Sequence, residues 1–231
     1  MKVMDLVKAT VAYNDTLNPE AWQGKNLRPE VSEKLLLAAH NFVKYLEIPN
    51  FSLLDIVLTG SMANYNYTQF SDYDLHVVTR YSDLECDDLA EAFYRAKKQI
   101  WNDEHNIRIR GNDVELYVED VDQPPVSGGV YSILEDRWIR RPRYEPPNVN
   151  DREVQAKAQD LIQQITRATE SGDTADIARL KAKIRNMRRA ALDTAGEFSV
   201  ENLAFKVLRN MGYMDRLNTA YIQQQDQELS I

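Results

Sequence analysis

Apolar and polar positions follow two different patterns along this chain, and the change falls near residue 147. Up to that point, short apolar or alternating runs typical of strands are interleaved with stretches of helical period. Beyond it, apolar residues recur only at the spacing of one helix face. The sequence therefore predicts an α+β segment over residues 1–147 and an all-α segment over residues 148–231, joined within Pro146-Pro147-Asn148-Val149-Asn150.

Two long helices are predicted in the first segment. Pro29 can open a helix whose apolar residues repeat with helical period up to a break at Pro49, and this helix should cover one face of the sheet. A second periodic stretch covers residues 87–103. Its buried face is expected to consist of Leu89, Phe93, Ala96 and Ile100.

Short runs between and after these helices predict the strands of the sheet. They lie at residues 56–58, 72–80, 107–109, 113–118, 130–134 and 138–139, the last two as a hairpin. In the second segment, apolar stripes over residues 154–165 and 177–191 predict two helices. Ser199 can cap a third helix that ends near Gly212, and a fourth is predicted over residues 214–227.

The second predicted strand carries two carboxylates on one face. Asp72, Asp74 and His76 alternate with Tyr73, Leu75 and Val77, so the two sets point to opposite faces. Two neighbouring carboxylates repel each other, and a divalent cation is the usual way to make such a pair favourable. His76 could touch this site, although a structural histidine hydrogen-bonded below it is the alternative interpretation.

A Gly-Ser pair follows the first predicted strand, and ten residues separate Ser61 from Asp72. The pair can open a short helix whose backbone N–H groups hold an anion, and Gly60 permits close backbone approach. An anion site beside paired carboxylates is the minimum needed to hold a metal–nucleoside triphosphate.

A third carboxylate is available about forty residues later, in Val114-Glu115-Leu116-Tyr117-Val118. Asp113 and Glu115 share one face of this strand, and either could complete the group. Glu115 is preferred because apolar residues flank it directly, whereas Asp113 borders a turn. A solvated polar face on an edge strand is the alternative interpretation.

Over about residues 55–118, the chain resembles the DNA polymerase β-like nucleotidyltransferase superfamily. The resemblance consists of Gly-Ser, the ten-residue gap, Asp-x-Asp and the later hydrophobic-acid-hydrophobic strand. The resemblance implies a nucleotidyltransferase-like mixed β-sheet flanked by helices as a catalytic domain over residues 1–147, followed by a helical C-terminal domain. It implies Mg²⁺ or Mn²⁺ held by Asp72, Asp74 and Glu115. It also implies a nucleoside triphosphate, with ATP preferred, whose phosphates contact Gly60 and Ser61.

A weaker likeness of layout, in residues 17–22 and 129–133, is to predicted nucleotidyltransferases of tailed bacteriophages. One departure from the superfamily pattern concerns the residues after Gly-Ser. Many members place an Arg there, whereas this chain has Met62-Ala63-Asn64, so a phosphate contact of those relatives has no counterpart at this position. Four arginines, Arg137, Arg140, Arg141 and Arg143, could bind a triphosphate or an acceptor phosphate, or could simply balance an acidic segment.

Charge and composition limit the kinds of partner that the chain can bind. The net charge of −8 belongs wholly to residues 1–150, because residues 151–231 hold equal numbers of acidic and basic side chains. An acidic catalytic half argues against an extended surface for binding nucleic acid.

The sequence also predicts where the protein is located. No apolar run approaches the ~20 residues of a membrane span, and no secretory signal is visible, which predicts a cytoplasmic protein. The single cysteine, Cys86, excludes an intrachain disulfide.

Two functional classes follow from these observations. The first is an enzyme that moves a nucleoside monophosphate from a triphosphate to an unidentified hydroxyl acceptor, which could be a small molecule, an RNA end or a protein. The second is a non-catalytic module that binds a nucleotide or a protein on the same fold, as an antitoxin-like or host-interaction factor. The three carboxylates favour the enzyme, since a protein without catalytic demand has no need of them.

Overall fold

The computed structural model describes residues 3–84, 87–123 and 127–231; Cys86 and part of the predicted loop at 123–129 lie outside these ranges. The chain divides into two compact units, one formed by Tyr13–Glu145 and the other by residues 3–12 together with Pro146–Ile231. Within the described residues, the helices are α1 (Val3–Thr10), α2 (Pro29–Leu46), α3 (Asp87–Glu104), α4 (Asp151–Ser171), α5 (Thr174–Ala195), α6 (Val200–Asn210) and α7 (Tyr213–Leu229). The strands are β1 (Trp22–Gln23), β2 (Asn26–Leu27), β3 (Asp55–Thr59), β4 (Tyr73–Thr79), β5 (Arg108–Ile109), β6 (Asn112–Asp120), β7 (Val130–Ser132) and β8 (Arg137–Arg140).

A mixed six-stranded sheet forms the centre of the Tyr13–Glu145 unit, with the strand order β5-β6-β4-β3-β7-β8. Strands β4 and β6 are parallel and are joined through α3, whereas the other neighbouring pairs are antiparallel. A parallel pair needs such a crossover, and a helix is the usual way to provide it. The predicted α+β class, with a mixed sheet, flanking helices and a helical C-terminal part, is confirmed.

Helix α2 begins and ends where its sequence predicts. Pro29 occupies the first helical position, where its missing N–H costs no hydrogen bond, and the helix closes on Glu47 in a left-handed conformation. Its apolar face enters the core against the sheet. The buried residues of this face are Val31, Leu35, Ala38, Ala39, Phe42 and Leu46.

The buried face predicted for α3 is wrong by one position. Leu89, Phe93 and Ile100 are exposed, whereas Ala90, Tyr94 and Trp101 pack into the core. Both sets recur with helical period, so the pattern alone does not choose between them. The buried stripe contains two large aromatic side chains, Tyr94 and Trp101, whereas the exposed stripe contains only Phe93, and packing the two against the sheet sets the rotation of the helix.

Trp22 anchors the segment before α2 to the turn that follows β3. Its indole is 2% exposed, its Nε1 donates to the Met62 carbonyl at 2.7 Å, and its ring stacks on Trp138 at 4.7 Å. The hydrogen bond to Met62 links Trp22 to the turn that follows the Gly-Ser pair.

Replacing Trp22 with Ala should lower the free energy of unfolding by about 3–5 kcal/mol, the usual loss for a large buried aromatic side chain. Trp22→Phe should lose less, since it keeps most of the packing but leaves the buried Met62 carbonyl without its donor. Urea denaturation of both variants would measure these losses. A loss below about 1 kcal/mol for Trp22→Ala would contradict the anchoring role.

The helices of the other unit bury the stripes that the sequence predicts. Helix α4 is capped by Asn150 and α5 by Asp173, and each side chain accepts an N–H bond from the first helical turn. The short helix α1 packs with these helices, and Asn210 Nδ2 donates to Thr10 Oγ1 at 3.3 Å. The structure therefore groups residues 3–12 with the C-terminal helices, whereas the predicted division at residue 147 grouped them with the sheet. An amphipathic pattern reveals an apolar face, but it does not say which unit covers that face.

Across the described ranges, none of the helices combines the length and the apolar character that crossing a lipid bilayer demands.

Candidate active site

Strand β4 presents two carboxylates on the face away from the core. Tyr73, Leu75 and Val77 are 0% exposed and belong to the core, as the alternating pattern predicts. Asp72, just before the strand, and Asp74, within it, are half-buried on the opposite side. Alternation along a strand therefore places both carboxylates on one surface of the sheet.

Strand β6 brings the third carboxylate to the same place. In the parallel pairing of β4 with β6, Asp74 lies directly opposite Glu115. Asp113 instead forms a salt bridge with Arg108 in the β5–β6 hairpin, with its carboxylate 2.6 Å from the guanidinium Nε. Of the two carboxylates that the sequence left open, the register of the sheet brings Glu115 to Asp74 and directs Asp113 to an arginine.

Oxygen atoms from Asp72, Asp74 and Glu115 all lie within 4.8 Å of one another. In the described part of the chain, no other group of three or more His, Cys, Asp or Glu residues comes together in this way. Three half-buried carboxylates at this spacing repel one another unless a proton or a cation intervenes. The donor set is entirely carboxylate oxygen, which hard cations such as Mg²⁺ prefer.

Gly60 allows the turn after β3 to approach this group. Its backbone has φ 70° and ψ −158°, a region that is essentially open to glycine alone. A Cβ at this position would lie 2.8 Å from Asp74 Cγ and closer still to one carboxylate oxygen. The backbone therefore passes against the Asp74 carboxylate, and only glycine leaves room for it.

Ser61 begins a short 3₁₀ turn, Ser61–Ala63, directly after Gly60. Its hydroxyl donates to Ser71 Oγ at 2.7 Å, and Ser71 Oγ also accepts the Thr68 N–H. These bonds tie the turn to the residue just before Asp72. The expected contact of Ser61 with phosphates stays a prediction, and its hydroxyl is directed at Ser71 in this structure.

A second row of polar side chains lies one step further along the strands. The Tyr117 hydroxyl donates to Glu115 Oε2 at 2.5 Å, and its ring stacks on His76 at 4.7 Å. His76 Nδ1 donates to the Glu119 carboxylate at 2.7 Å, and Nε2 lies 3.1 Å from Thr59 Oγ1. His76 is thus held between hydrogen-bond partners below the carboxylates, which matches the structural interpretation.

Tyr117 is the residue of this site that sequence reasoning missed. Burial, together with the charges of Asp74 and Glu115, raises the pKa of Tyr117 far above its ordinary value, so the phenol stays protonated and remains a donor. The Lys98 ammonium from α3 lies 4.0 Å from the centre of the same ring. A signal was available, because Tyr117 follows Glu115 by two positions and therefore shares its face of the strand.

Two of the arginines considered as triphosphate contacts, and the Tyr65 ring after the Gly-Ser turn, have partners within the chain. The Tyr65 ring packs edge-on against Tyr144, with ring centroids 5.4 Å apart. Arg137 is exposed and pairs with Glu135, with Nε 2.6 Å from the carboxylate. Arg140 donates from Nη1 to the Ser127 carbonyl at 2.8 Å, close to the Gly60 turn.

Comparisons with known proteins give a weak structural likeness. The first is to the STING-associated CdnE c-di-GMP synthase of Capnocytophaga granulosa, with 12% identity, a TM-score of 0.21, and 97% of this chain and 87% of that chain covered. The second is to the Elizabethkingia meningoseptica CdnE cyclic dinucleotide synthase with GTP and Apcpp, with 14% identity, a TM-score of 0.24, and coverage of 96% and 83%. Neither a protein-family model nor a curated protein sequence matches the chain. Both TM-scores are low, and these likenesses carry no conclusion about activity.

Proposed function

We propose that the chain is a metal-dependent nucleotidyltransferase, which moves a nucleoside monophosphate from a nucleoside triphosphate to a hydroxyl acceptor and releases pyrophosphate. The observation that carries this proposal is the convergence of Asp72, Asp74 and Glu115, from two adjacent strands, beside a glycine turn. Three half-buried carboxylates with oxygens this close repel one another, and a bound divalent cation would relieve that repulsion.

The residues present fit Mg²⁺ or Mn²⁺. Asp72, Asp74 and Glu115 would hold the ions through carboxylate oxygens. Gly60 has no Cβ, so it does not displace the Asp74 carboxylate from this group. Bound ions would neutralise phosphate charge and promote ionisation of the acceptor hydroxyl. Transfer between phosphate esters depends largely on positioning and charge neutralisation, so a small set of fixed carboxylates is sufficient machinery.

Each residue of the site has a distinct task in this proposal. Asp72 and Asp74 would hold the divalent ions, which would neutralise the triphosphate charge and position it relative to the acceptor. Glu115, with one oxygen held by Tyr117, accepts the proton from the acceptor hydroxyl. The acceptor oxygen then forms a bond to the α-phosphorus as the bond to the β-phosphate breaks. Gly60 admits the triphosphate to the turn, and Ser61 contacts its phosphates through the backbone N–H and, after rotation away from Ser71, through the hydroxyl.

The direct test is incubation with α-³²P-labelled ATP, GTP, CTP and UTP, with Mg²⁺, with Mn²⁺ and with EDTA. Total RNA, protein and small-molecule fractions of a cell extract serve as acceptors. Label should move to one acceptor class only when a divalent ion is present, and ATP is expected to be the preferred donor. Metal-dependent nucleotide binding without transfer to any of these acceptors would instead favour the non-catalytic module.

Removing the Tyr117 hydroxyl should weaken metal binding by about 10- to 100-fold, the usual effect of losing a hydrogen bond that orients a ligating carboxylate. Tyr117→Phe keeps the ring on His76 but leaves Glu115 free to rotate. Titration with Mn²⁺ followed by electron paramagnetic resonance would measure the change. Tyr81→Phe is the matched control, since its hydroxyl donates to the Val118 carbonyl instead of to one of the three carboxylates. Equal Mn²⁺ affinity in both variants would contradict the orienting role of Tyr117.

A further inference from the structure

Residues of five neighbouring strands lie in one row that crosses the sheet at the candidate site. Glu115 of β6 pairs with Asp74 of β4, and Asp74 pairs with Thr59 of β3. On the other side of β3, Leu58 pairs with Tyr131 of β7. Because this pairing is antiparallel, Thr59, the next residue of β3, lies toward Val130 at the start of β7. Val130, the first residue of β7, pairs with Arg140, the last residue of β8. Arg140 therefore ends its strand at the same edge of the sheet as the carboxylates.

A β-bulge decides which face of the sheet Arg140 occupies. Tyr131 pairs with Trp138 and Val130 with Arg140, so one step on β7 corresponds to two steps on β8. Tyr131 belongs to the core, and Trp138 packs against it with ring centroids 5.1 Å apart. Directly opposed residues share a face, and neighbours along a strand alternate. The bulge thus moves Arg140 to the face of Val130, opposite the core, which is also the face of Thr59 and Asp74.

Hydrogen bonds connect Arg140 to the glycine turn through a single residue. Arg140 Nη1 donates to the Ser127 carbonyl at 2.8 Å, and the Ser127 hydroxyl accepts the Gly60 N–H at 3.3 Å. The same hydroxyl donates to the Gly129 carbonyl at 2.9 Å. A Cβ on Gly129 would overlap the Ala63 carbonyl, so this segment packs closely on the Ser61–Ala63 turn. The guanidinium is consequently placed beside the turn, on the side away from Glu115.

A positively charged side chain on that side of the turn would favour the binding of a triphosphate. A triphosphate brings several negative charges to a site whose own three side chains are carboxylates. Divalent ions at the carboxylates would neutralise phosphate charge there, whereas the turn after Ser61 contains only the uncharged residues Met62, Ala63 and Asn64. This 3₁₀ turn is three residues long, too short to contribute an appreciable helix dipole. Neighbouring strands lie about 4.8 Å apart, so Arg140 is about 14 Å from Asp74 along the sheet edge, and its long side chain shortens that gap.

We infer that Arg140 binds the terminal phosphates of the nucleoside triphosphate, and that it takes the place of a cation within the Gly-Ser turn. This inference rests on the proposed nucleotidyltransferase function. A guanidinium presents N–H donors in a fork that matches phosphate oxygens. Arg137 is excluded from this role because it lies at the other end of β8, opposite Ser132, and pairs with Glu135.

The test measures binding of two probes to the full chain in Mg²⁺, by displacement of a fluorescent nucleoside triphosphate. The probes are inorganic tripolyphosphate, which has no base, and a nucleoside monophosphate, which lacks the terminal phosphates. Arg140→Ala should weaken tripolyphosphate binding by about 10- to 100-fold and leave monophosphate binding unchanged. Arg140→Lys should recover part of the loss. Arg137→Ala, an equal loss of charge on the same strand, should bind both probes as the wild-type chain does.

The outcomes separate this inference from the proposed function. Unchanged tripolyphosphate binding in Arg140→Ala would overturn the inference alone, since the wild-type chain would still bind nucleotide in a metal-dependent way. A parallel loss of both probes in Arg140→Ala, with no recovery in Arg140→Lys, would also overturn it, because it would mean that Arg140 only holds the Ser127 segment in place. A wild-type chain that binds neither the fluorescent triphosphate nor tripolyphosphate would overturn the inference and the proposed function together.

Discussion

An Asn in place of Asp72 or Asp74 should abolish metal-dependent nucleotide transfer, with a loss of about 10³-fold or more in rate. The substitution keeps the shape of the side chain and removes the charge that would hold a divalent ion. Metal coordination supplies several kcal/mol of transition-state stabilisation, and each 1.4 kcal/mol, roughly, is a factor of ten in rate. Transfer of radiolabel from the triphosphate, at saturating Mg²⁺, measures the loss.

The same Asp72 and Asp74 variants should be more stable than the wild-type chain when no metal is present. Three carboxylates with oxygens within 4.8 Å repel one another, so removing one charge should raise the melting temperature of the metal-free protein. Mg²⁺ should then stabilise the wild-type chain but leave the variants unaffected, since an ion that binds only the folded state raises its stability. Asp113→Asn, which changes a carboxylate paired with Arg108, should keep both transfer and the Mg²⁺ response. Transfer that persists in Asp72→Asn would show that the metal site is misassigned.

Gly60→Ala should eliminate both Mg²⁺ binding and transfer, although it changes no charged or polar side chain. The added Cβ would overlap the Asp74 carboxylate, with 2.8 Å to Cγ, and would force that side chain away from Asp72 and Glu115. A displacement of about 1 Å in a reacting group commonly costs about 10²-fold in rate. Calorimetric titration with Mg²⁺ and the radiolabel transfer assay would report the two losses separately.

Gly196→Ala is the matched control for this variant. Gly196 has φ 74° and ψ −165°, close to the angles of Gly60, but nothing lies within 4 Å of a Cβ built there. Both substitutions should therefore cost about 1–3 kcal/mol of backbone strain. Only Gly60→Ala should lose metal binding and transfer. A Gly60→Ala chain that transfers nucleotide within a few-fold of the wild-type rate would refute the idea that this glycine makes room for Asp74.

Local sequence rules were sufficient where one signal had no competitor. Pro29 and the break before Pro49 bound α2 closely, because proline acts on its own backbone regardless of tertiary context. The face of β4 was equally clear, since Tyr73, Leu75 and Val77 alternate with polar residues. The rule failed for α3, where two apolar stripes one position apart competed, and the packing of Tyr94 and Trp101 decided between them.

The sequence by itself determined which chemistry this chain can support. The apolar patterns predicted an α+β fold, and the alternation of β4 predicted that Asp72 and Asp74 share one face, because strand alternation is a local property. Tertiary structure alone decided which side chains meet there. The β4–β6 register selected Glu115 over Asp113, the pairing of strands brought Tyr117 beneath it, and a bulge in β8 turned Arg140 to the same face. The β4–β6 register depends on contacts between residues about forty positions apart, and the bulge depends on how Tyr131 and Trp138 pack in the core, so the apolar pattern of a single strand does not predict either.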